Sequence, residues 1–357
     1  MKSRTVGNWK KAMAIAGICL LTAGTLCACG EDAAGNGSGS QIAETGSDME
    51  EASAGDLKPV TMLLDWTPNT NHTGIYVAKE LGYYEEAGLD VSIELPYDGT
   101  ATQLVGAGKG DFGISNAEDV LYALSLDDPM PVVSVATIIQ HNTSGFVSLK
   151  EDGIQSPADW AGKTYGGYGG TIEQQIVKTI AENNGVDPES INFVDLGNSD
   201  TLTSLKNEID FTWVFEAAEL INLDLQDVEY TYLPVRDYGD AFDYYTPVLA
   251  ANTKAISDDP EMARAFVKAT AKGYQYAIEN PEDAAEILLK AEPDLDENLV
   301  KDGQAYLAER YAKDAPQWGY QKEEVWKQYE EYLFENGLLG NELDISTVFT
   351  NEYLPEV

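Results

Sequence analysis

From residue 61 to residue 252, short apolar runs alternate with segments of helical spacing. Residues 61–64 read as a buried strand, and the spacing after the following polar loop predicts a helix over 74–81 that stops at Gly82, where glycine tolerates a left-handed cap. Val91, Ile93 and Leu95 alternate with polar neighbours in the next strand. A helix over 101–107, a strand over 111–115, a helix over 118–126 and a strand over 132–139 rich in β-branched residues complete a first block. A turn at 159–163 opens a second block of the same grammar. It holds a strand over 164–168, a helix over 171–183 with Thr171 expected as its N-cap, a strand over 191–196, a helix over 201–207, a strand over 211–215, a helix over 217–223 and a strand over 228–235. Residues 246–252 are again apolar and extended. Helices follow over 260–279, 281–290, 297–311 and 322–336.

Strands alternating with helices predict an α/β protein with largely parallel sheets. Two such blocks followed by helices predict two lobes, with the chain crossing from one to the other near 144–149 and returning near 245–250. The expected organisation is a first lobe over 58–146, a second over 147–247, and a return to the first lobe with the C-terminal helices over 248–357. Ligands of open α/β sheets sit beyond the carboxyl ends of the strands, so two facing lobes create a cleft lined by those loops.

The formal charge of -39 changes the list of partners. Nucleic acid is disfavoured, because neutralising phosphate takes clustered Lys and Arg that the chain lacks. An anionic membrane surface is disfavoured for the same reason. Cys19, Cys27 and Cys29 are the only cysteines and all precede the folded blocks, which removes disulfides and thiol chemistry from the body. With two histidines, His72 and His141, no metal site is expected.

Lys2, Arg4, Lys10 and Lys11 precede an apolar run over 12–26, the pattern of a secretory signal over 1–28. The segment Leu26-Cys27-Ala28-Cys29-Gly30 resembles a bacterial lipobox, which implies that Cys29 becomes the lipidated first residue. Acyl chains contribute about 0.8 kcal/mol for each methylene buried, enough in combination for stable anchoring outside the cytoplasm. Gly, Ser, Ala and acidic residues dominate from there to Leu57, so 29–57 reads as a lipidated Cys and a flexible acidic tether.

The run Leu64-Asp65-Trp66-Thr67-Pro68-Asn69-Thr70-Asn71-His72-Thr73-Gly74-Ile75 resembles the opening of the thiamin-pyrimidine-precursor binding family. That family lies within the alkanesulfonate, nitrate and taurine binding proteins of ABC importers. The likeness continues through Gly82-Tyr83-Tyr84-Glu85-Glu86-Ala87-Gly88-Leu89, Asp111-Phe112-Gly113-Ile114-Ser115, Gln140-His141-Asn142-Thr143-Ser144-Gly145 and Phe242-Asp243-Tyr244-Tyr245-Thr246-Pro247. It implies a two-lobed type II periplasmic-binding-protein fold, a heterocyclic small-molecule ligand, permease subunits as partners, no cofactor and a monomer. The chain departs from the family's pattern at Tyr168-Gly169-Gly170-Thr171-Ile172-Glu173, and at Ala217 and Ala218 after Glu216.

The expected cleft loops supply Asp65, Trp66, Asn69 and His72; Asn116 and Glu118; Gln140, His141 and Asn142; Tyr168, Thr171 and Glu173; Trp213, Phe215 and Glu216; and Tyr244 and Tyr245. None is Lys or Arg, which opposes burial of a net anion and suits a neutral or cationic ring. Trp66, Tyr168, Trp213 and Tyr244 are candidates to stack on an aminopyrimidine. Glu118, Glu173, Glu216 and Asn69 are candidates to address its alternating donor and acceptor edge. Blander roles stand beside these: Asp65 and Asn69 as caps of the first helix, His72 and His141 satisfied by backbone, and Trp213 as core. Trp160, Trp318 and Trp326 are assigned to packing.

A fungal relative of this fold is an enzyme that builds the thiamin pyrimidine from pyridoxal phosphate and a histidine of its own. Where it carries a cofactor-holding lysine this chain has Ser115, and where its donor histidine lies this chain has Asp119. Its cysteine cluster is replaced by Asp243-Tyr244-Tyr245-Thr246. An imine needs an amine, so the expectation is a binder rather than an enzyme. Riboflavin, thiamin and sulfonate-type solutes are the alternative ligands.

Overall fold

The computed structural model describes residues 57–197 and 199–356. The signal segment, Cys29 and nearly all of the tether lie outside them. Strands β1 (Lys58–Leu63), β2 (Leu89–Glu94), β3 (Phe112–Ser115) and β4 (Val132–Thr137) alternate with helices α1 (Thr73–Glu80), α2 (Tyr83–Glu86), α3 (Ala101–Gly106) and α4 (Ala117–Leu124). The chain then enters a second sheet as β5 (Ser144–Leu149). There follow β6 (Thr164–Gly167), α5 (Thr171–Asn183), β7 (Asn192–Asp195), α6 (Thr201–Asn207), β8 (Phe211–Phe215), α7 (Ile221–Leu225) and β9 (Tyr230–Pro234). It returns as β10 (Val248–Asn252) and ends in α8 (Thr253–Asp258), α9 (Pro260–Glu279), α10 (Pro281–Ala291), α11 (Glu297–Ala308) and α12 (Glu323–Glu335).

Each sheet has five strands, in the orders β2-β1-β3-β10-β4 and β7-β6-β8-β5-β9. They are mixed rather than largely parallel, and the reason lies in the crossings. β10 runs antiparallel to both β3 and β4, and β5 antiparallel to both β8 and β9, whereas β1 is parallel to β2 and β3, and β6 to β7 and β8. The segment expected to serve only as the first crossing, 144–149, is thus a full strand buried along its whole length. Each reversed strand is the one that has just arrived from the other sheet.

Other local corrections have local causes. Thr171 is the first helical residue of α5, and Gly170 in extended conformation is its N-cap. The four-residue helix α2 was not expected; it begins after Gly82, whose φ of 73° makes the left-handed turn that ends α1. A wide π-type turn over Glu216–Leu220 precedes α7.

α1, α9, α10 and α11 pack on one face of the first sheet, around Phe112 stacked on Phe266 at 4.0 Å and Tyr274 stacked on Trp318 at 4.3 Å. Phe146, Trp160, Phe211 and Trp213 fill the second sheet's inner face, and α12 joins that cluster through Trp326, Tyr329 and Leu333. Trp160, Trp318 and Trp326 are all buried. Among the described residues no helix is long and apolar enough to cross a membrane.

α1 and α9 touch through glycine: a Cβ on Gly273 would lie 2.0 Å from the Gly74 carbonyl oxygen, and one on Gly74 would enter the Tyr274 ring. Overpacking of this kind costs about 1–3 kcal/mol. Gly273→Ala is therefore expected to lower stability in urea by at least about 1 kcal/mol. An unchanged denaturation midpoint would show that the two helices are free to separate.

Candidate functional site

The loops after β3 and β6 and the end of β8 open onto one cavity of about 600 Å³. Asn116, Glu118, Asp119 and Tyr122 of the α4 end form one wall. Tyr168 and Gly170, the first turns of α5 (Thr171, Ile172, Glu173, Ile176), and Trp213 and Phe215 form the other. Tyr244 and Thr246 of the returning crossing and Gly337 and Leu338 beyond α12 close it. A second cavity of about 650 Å³ lies between the end of α4, Met130 and residues 341–344. No aromatic ring lines it and, among the described residues, no buried polar side-chain atom in its wall lacks a partner, so the first cavity is the better candidate.

Glu118 is the chemically unusual member. Its Oε2 is shielded from solvent and has no hydrogen-bond partner among the described residues. Burial pushes its carboxyl up to about 7, Asp119 beside it adds to the rise, and its own backbone amide only partly offsets both. Asp119 is itself raised, by burial and then by the Asp65 charge.

On the opposite wall Glu173 is already committed. It accepts from the Tyr168 and Gly170 amides, at 3.1 and 3.3 Å, and from the Tyr165 hydroxyl, which holds the Gly169-Gly170 turn in shape. Tyr168 is 58% exposed, and partial burial with the charges of Glu219 and Glu173 holds its hydroxyl above the ordinary phenol value. Trp213 packs edge-on against Phe146 at 5.1 Å while still facing the cavity. Tyr244 stacks on Tyr329 at 3.8 Å.

Of the residues nominated from sequence, Asn116, Glu118, Tyr168, Thr171, Glu173, Trp213, Phe215 and Tyr244 share this cavity, and the others lie outside it. His72 is buried, takes the Asn69 amide on Nδ1 at 3.2 Å and meets Asp65 through Nε2 at 2.7 Å, which makes Nε2 the protonated nitrogen. The Asn69 side chain caps the turn through the Asn71 amide at 2.9 Å. Trp66 is 56% exposed in the same loop.

Gln140, His141 and Asn142 lie on the first crossing. Gln140 donates to the Tyr320 carbonyl at 3.0 Å, His141 Nδ1 lies 2.7 Å from Asp243, and the buried Asn142 amide donates to the Phe242 carbonyl at 3.0 Å. Glu216 accepts from Tyr232 at 2.8 Å and pairs with Arg236 at 3.3 Å. The Tyr245 hydroxyl accepts from the Lys322 amide at 2.9 Å.

Sequence reasoning missed Asp119, Tyr122, Gly170, Ile172, Ile176, Thr246, Gly337 and Leu338. Tyr122 was findable, because it lies four residues after Glu118 and so on the same face of α4. Gly337 and Leu338 carried no signal, since they reach the cavity from the far end of the chain. Among the described residues no group of three His, Cys, Asp or Glu side chains is arranged to hold a metal.

Comparison with known proteins now bears on this geometry. Residues 69–284 match the family described as NMT1/THI5 like. The formylaminopyrimidine-binding protein of Halalkalibacterium halodurans is 32% identical over 285 residues, covering 78% of this chain and 85% of that protein. The 4-amino-5-hydroxymethyl-2-methylpyrimidine phosphate synthase of Legionella pneumophila is 28% identical over 302 residues, covering 83% of this chain and 92% of that one. Among solved structures, the periplasmic aliphatic sulphonate binding protein SsuA from Escherichia coli superimposes with a TM-score of 0.65 at 13% identity, over 82% of this chain and 92% of its own. The fold is that of periplasmic binding proteins.

The Glu118 environment has a measurable consequence for stability. A carboxyl whose folded pKa is raised keeps its proton in the native state while the unfolded chain loses it, so stability falls as pH rises from about 4.5 to about 7 and then levels. Glu118→Gln removes that component. Relative to wild type it should gain about 3 kcal/mol between pH 4.5 and pH 8. Parallel wild-type and variant urea curves across this range would contradict a shielded, ionisable Glu118.

Proposed function

The chain belongs to the NMT1/THI5-like family, and from that membership we propose that it is an extracytoplasmic solute-binding component of an ABC importer that captures an aminopyrimidine between its lobes. The carrying observation is the make-up of the cavity wall: Tyr122, Tyr168, Trp213, Phe215 and Tyr244 with three carboxyl side chains, and no Lys, Arg or His. Flat aromatic faces suit a planar ring, and carboxyls suit a ligand that offers N–H donors. A sulfonate or nitrate would be buried against like charge. The name of the Halalkalibacterium relative supports the same ligand class.

The synthase relatives raise a second reading, that the chain acts on its ligand. The cavity does not fit a pyridoxal phosphate imine, because no lysine lines it and Ser115, at the position of the enzyme's lysine, is held by Thr102 and the Asn116 carbonyl. Capture without chemistry is the reading we adopt. Binding closes the lobes about the crossings and presents the closed form to permease subunits. Cys29 is proposed as the lipid attachment point, with the segment up to Leu57 as the tether. Labelled fatty acid should enter the mature protein in the producing cell, and Cys29→Ala should abolish that incorporation.

At a hundred times its dissociation constant, 4-amino-5-hydroxymethyl-2-methylpyrimidine or its formylamino counterpart should add about 2.7 kcal/mol to stability. The measurement is a thermal scan in which taurine and nitrate leave the midpoint unchanged. Tyr168→Ala should weaken binding about tenfold through loss of one stacking face. Stabilisation by taurine instead of the pyrimidine, or an imine absorption band with pyridoxal phosphate, would overturn the reading.

A further inference from the structure

Glu118 stands apart from every other group in the cavity wall. Glu173 is saturated by two amides and a phenol, and the Asn116 side-chain oxygen accepts from Thr246 at 3.2 Å. Glu118 Oε2 alone among the wall's side-chain oxygens and nitrogens is both shielded from solvent and without a partner among the described residues. Glu118 also lines the cavity, so a ligand that enters and displaces the side chains covering Oε2 supplies the missing partner.

We propose that Glu118 is the specificity-determining residue of the site and reads the ligand's amidine edge, an exocyclic amine beside a ring nitrogen, as a cyclic pair of two hydrogen bonds sharing one proton. This rests on the binding function proposed above and names the recognition chemistry within it. As a neutral acid, Glu118 donates its O–H to the ring nitrogen and accepts from the amine through its carbonyl oxygen. With the proton moved across, the carboxylate accepts from both the ring N–H and the amine. The two forms have the same composition, and each satisfies both oxygens.

The carboxyl's rise to about 7 through burial is consistent with this geometry, because it keeps a proton available near neutrality. Asp119 faces Glu118 from the same helix, with Asp65 behind it. Tyr244 of the returning crossing and Tyr329 of α12 are close enough to feel its charge, and Tyr168 and Glu173 line the cavity from the second lobe. None of these is a cation. The three tyrosines are all held above their ordinary value by burial, so they stay neutral through the relevant range. Above its pKa the free protein lacks the shared proton and takes one up on binding. Affinity then falls by up to about tenfold per pH unit.

Calorimetric titration of the full protein with 4-amino-5-hydroxymethyl-2-methylpyrimidine and with its analogue lacking the amine, from pH 6 to pH 9, tests this. Wild type should lose about tenfold in affinity between pH 7.5 and 8.5, with uptake of close to one proton read from buffers of different ionisation enthalpy. Glu118→Gln, whose amide also offers one donor and one acceptor, should bind without that slope. Glu118→Ala should bind the aminopyrimidine at least about tenfold more weakly at pH 7, and should lose less affinity for the analogue, which keeps only the ring-nitrogen bond. If Glu118→Ala binds the aminopyrimidine like wild type, the assignment is wrong while the binding function stands. A slope that persists in Glu118→Gln transfers the proton to Asp119 and also overturns it. Wild type that binds neither compound at any pH overturns both the assignment and the function on which it rests.

Discussion

Two extended segments pass between the sheets, and the hydrogen bonds that stitch one to the other determine where a cleft can exist. Asp243, on the returning segment, accepts from the Asn142 amide at 2.9 Å and meets His141 at 2.7 Å on the outgoing one. Asn142 returns the contact through its side chain to the Phe242 carbonyl, and Arg236 reaches the Asn142 carbonyl. Burial alone would raise the Asp243 carboxyl, but the bonds from His141 and the Asn142 amide outweigh it and hold it below the usual range. The crossings act as one unit, and β5 and β10 leave it in opposite directions to become the reversed strand of each sheet. That reversal points the parallel strands of both lobes, and the loops after them, at a shared space.

The walls of that space illustrate how a fold and a ligand preference separate. A sulfonate-binding protein shares the architecture at 13% identity, so the architecture itself says nothing about charge preference. The preference resides in side chains. In an acidic protein the electrostatic cost of a shielded carboxyl is high, and Glu118 carries it beside Asp119 rather than being neutralised by a cation. The basic residue nearest in function, Arg236, is spent on Glu216 and on the crossing. The acid in the cavity wall is therefore uncompensated, which suits the N–H-bearing ring proposed above.

Much of this was legible along the chain. The β-branched run at 132–139, the alternation at 211–215 and the long amphipathic pattern at 260–279 each specify an element through local burial. The segment 144–149 was misjudged because a strand buried on both faces shows no alternation. The opening loop drew attention for its polarity, yet Asn69, His72 and Asp65 satisfy one another within a few residues, which is a local arrangement that sequence leaves open.

The order of the strands and helices, the two-block organisation and the absence of thiol chemistry in the body follow from the sequence alone, because they depend on periodicity and composition. Which polar groups remain available does not follow from it. Glu216 and Glu118 look alike in sequence, each an acid at the end of a strand or start of a helix. Tyr232 and Arg236 occupy the first, whereas nothing described occupies the Oε2 of the second. Only the packing of segments distant along the chain decides which carboxyl is consumed by the fold and which is left for a ligand.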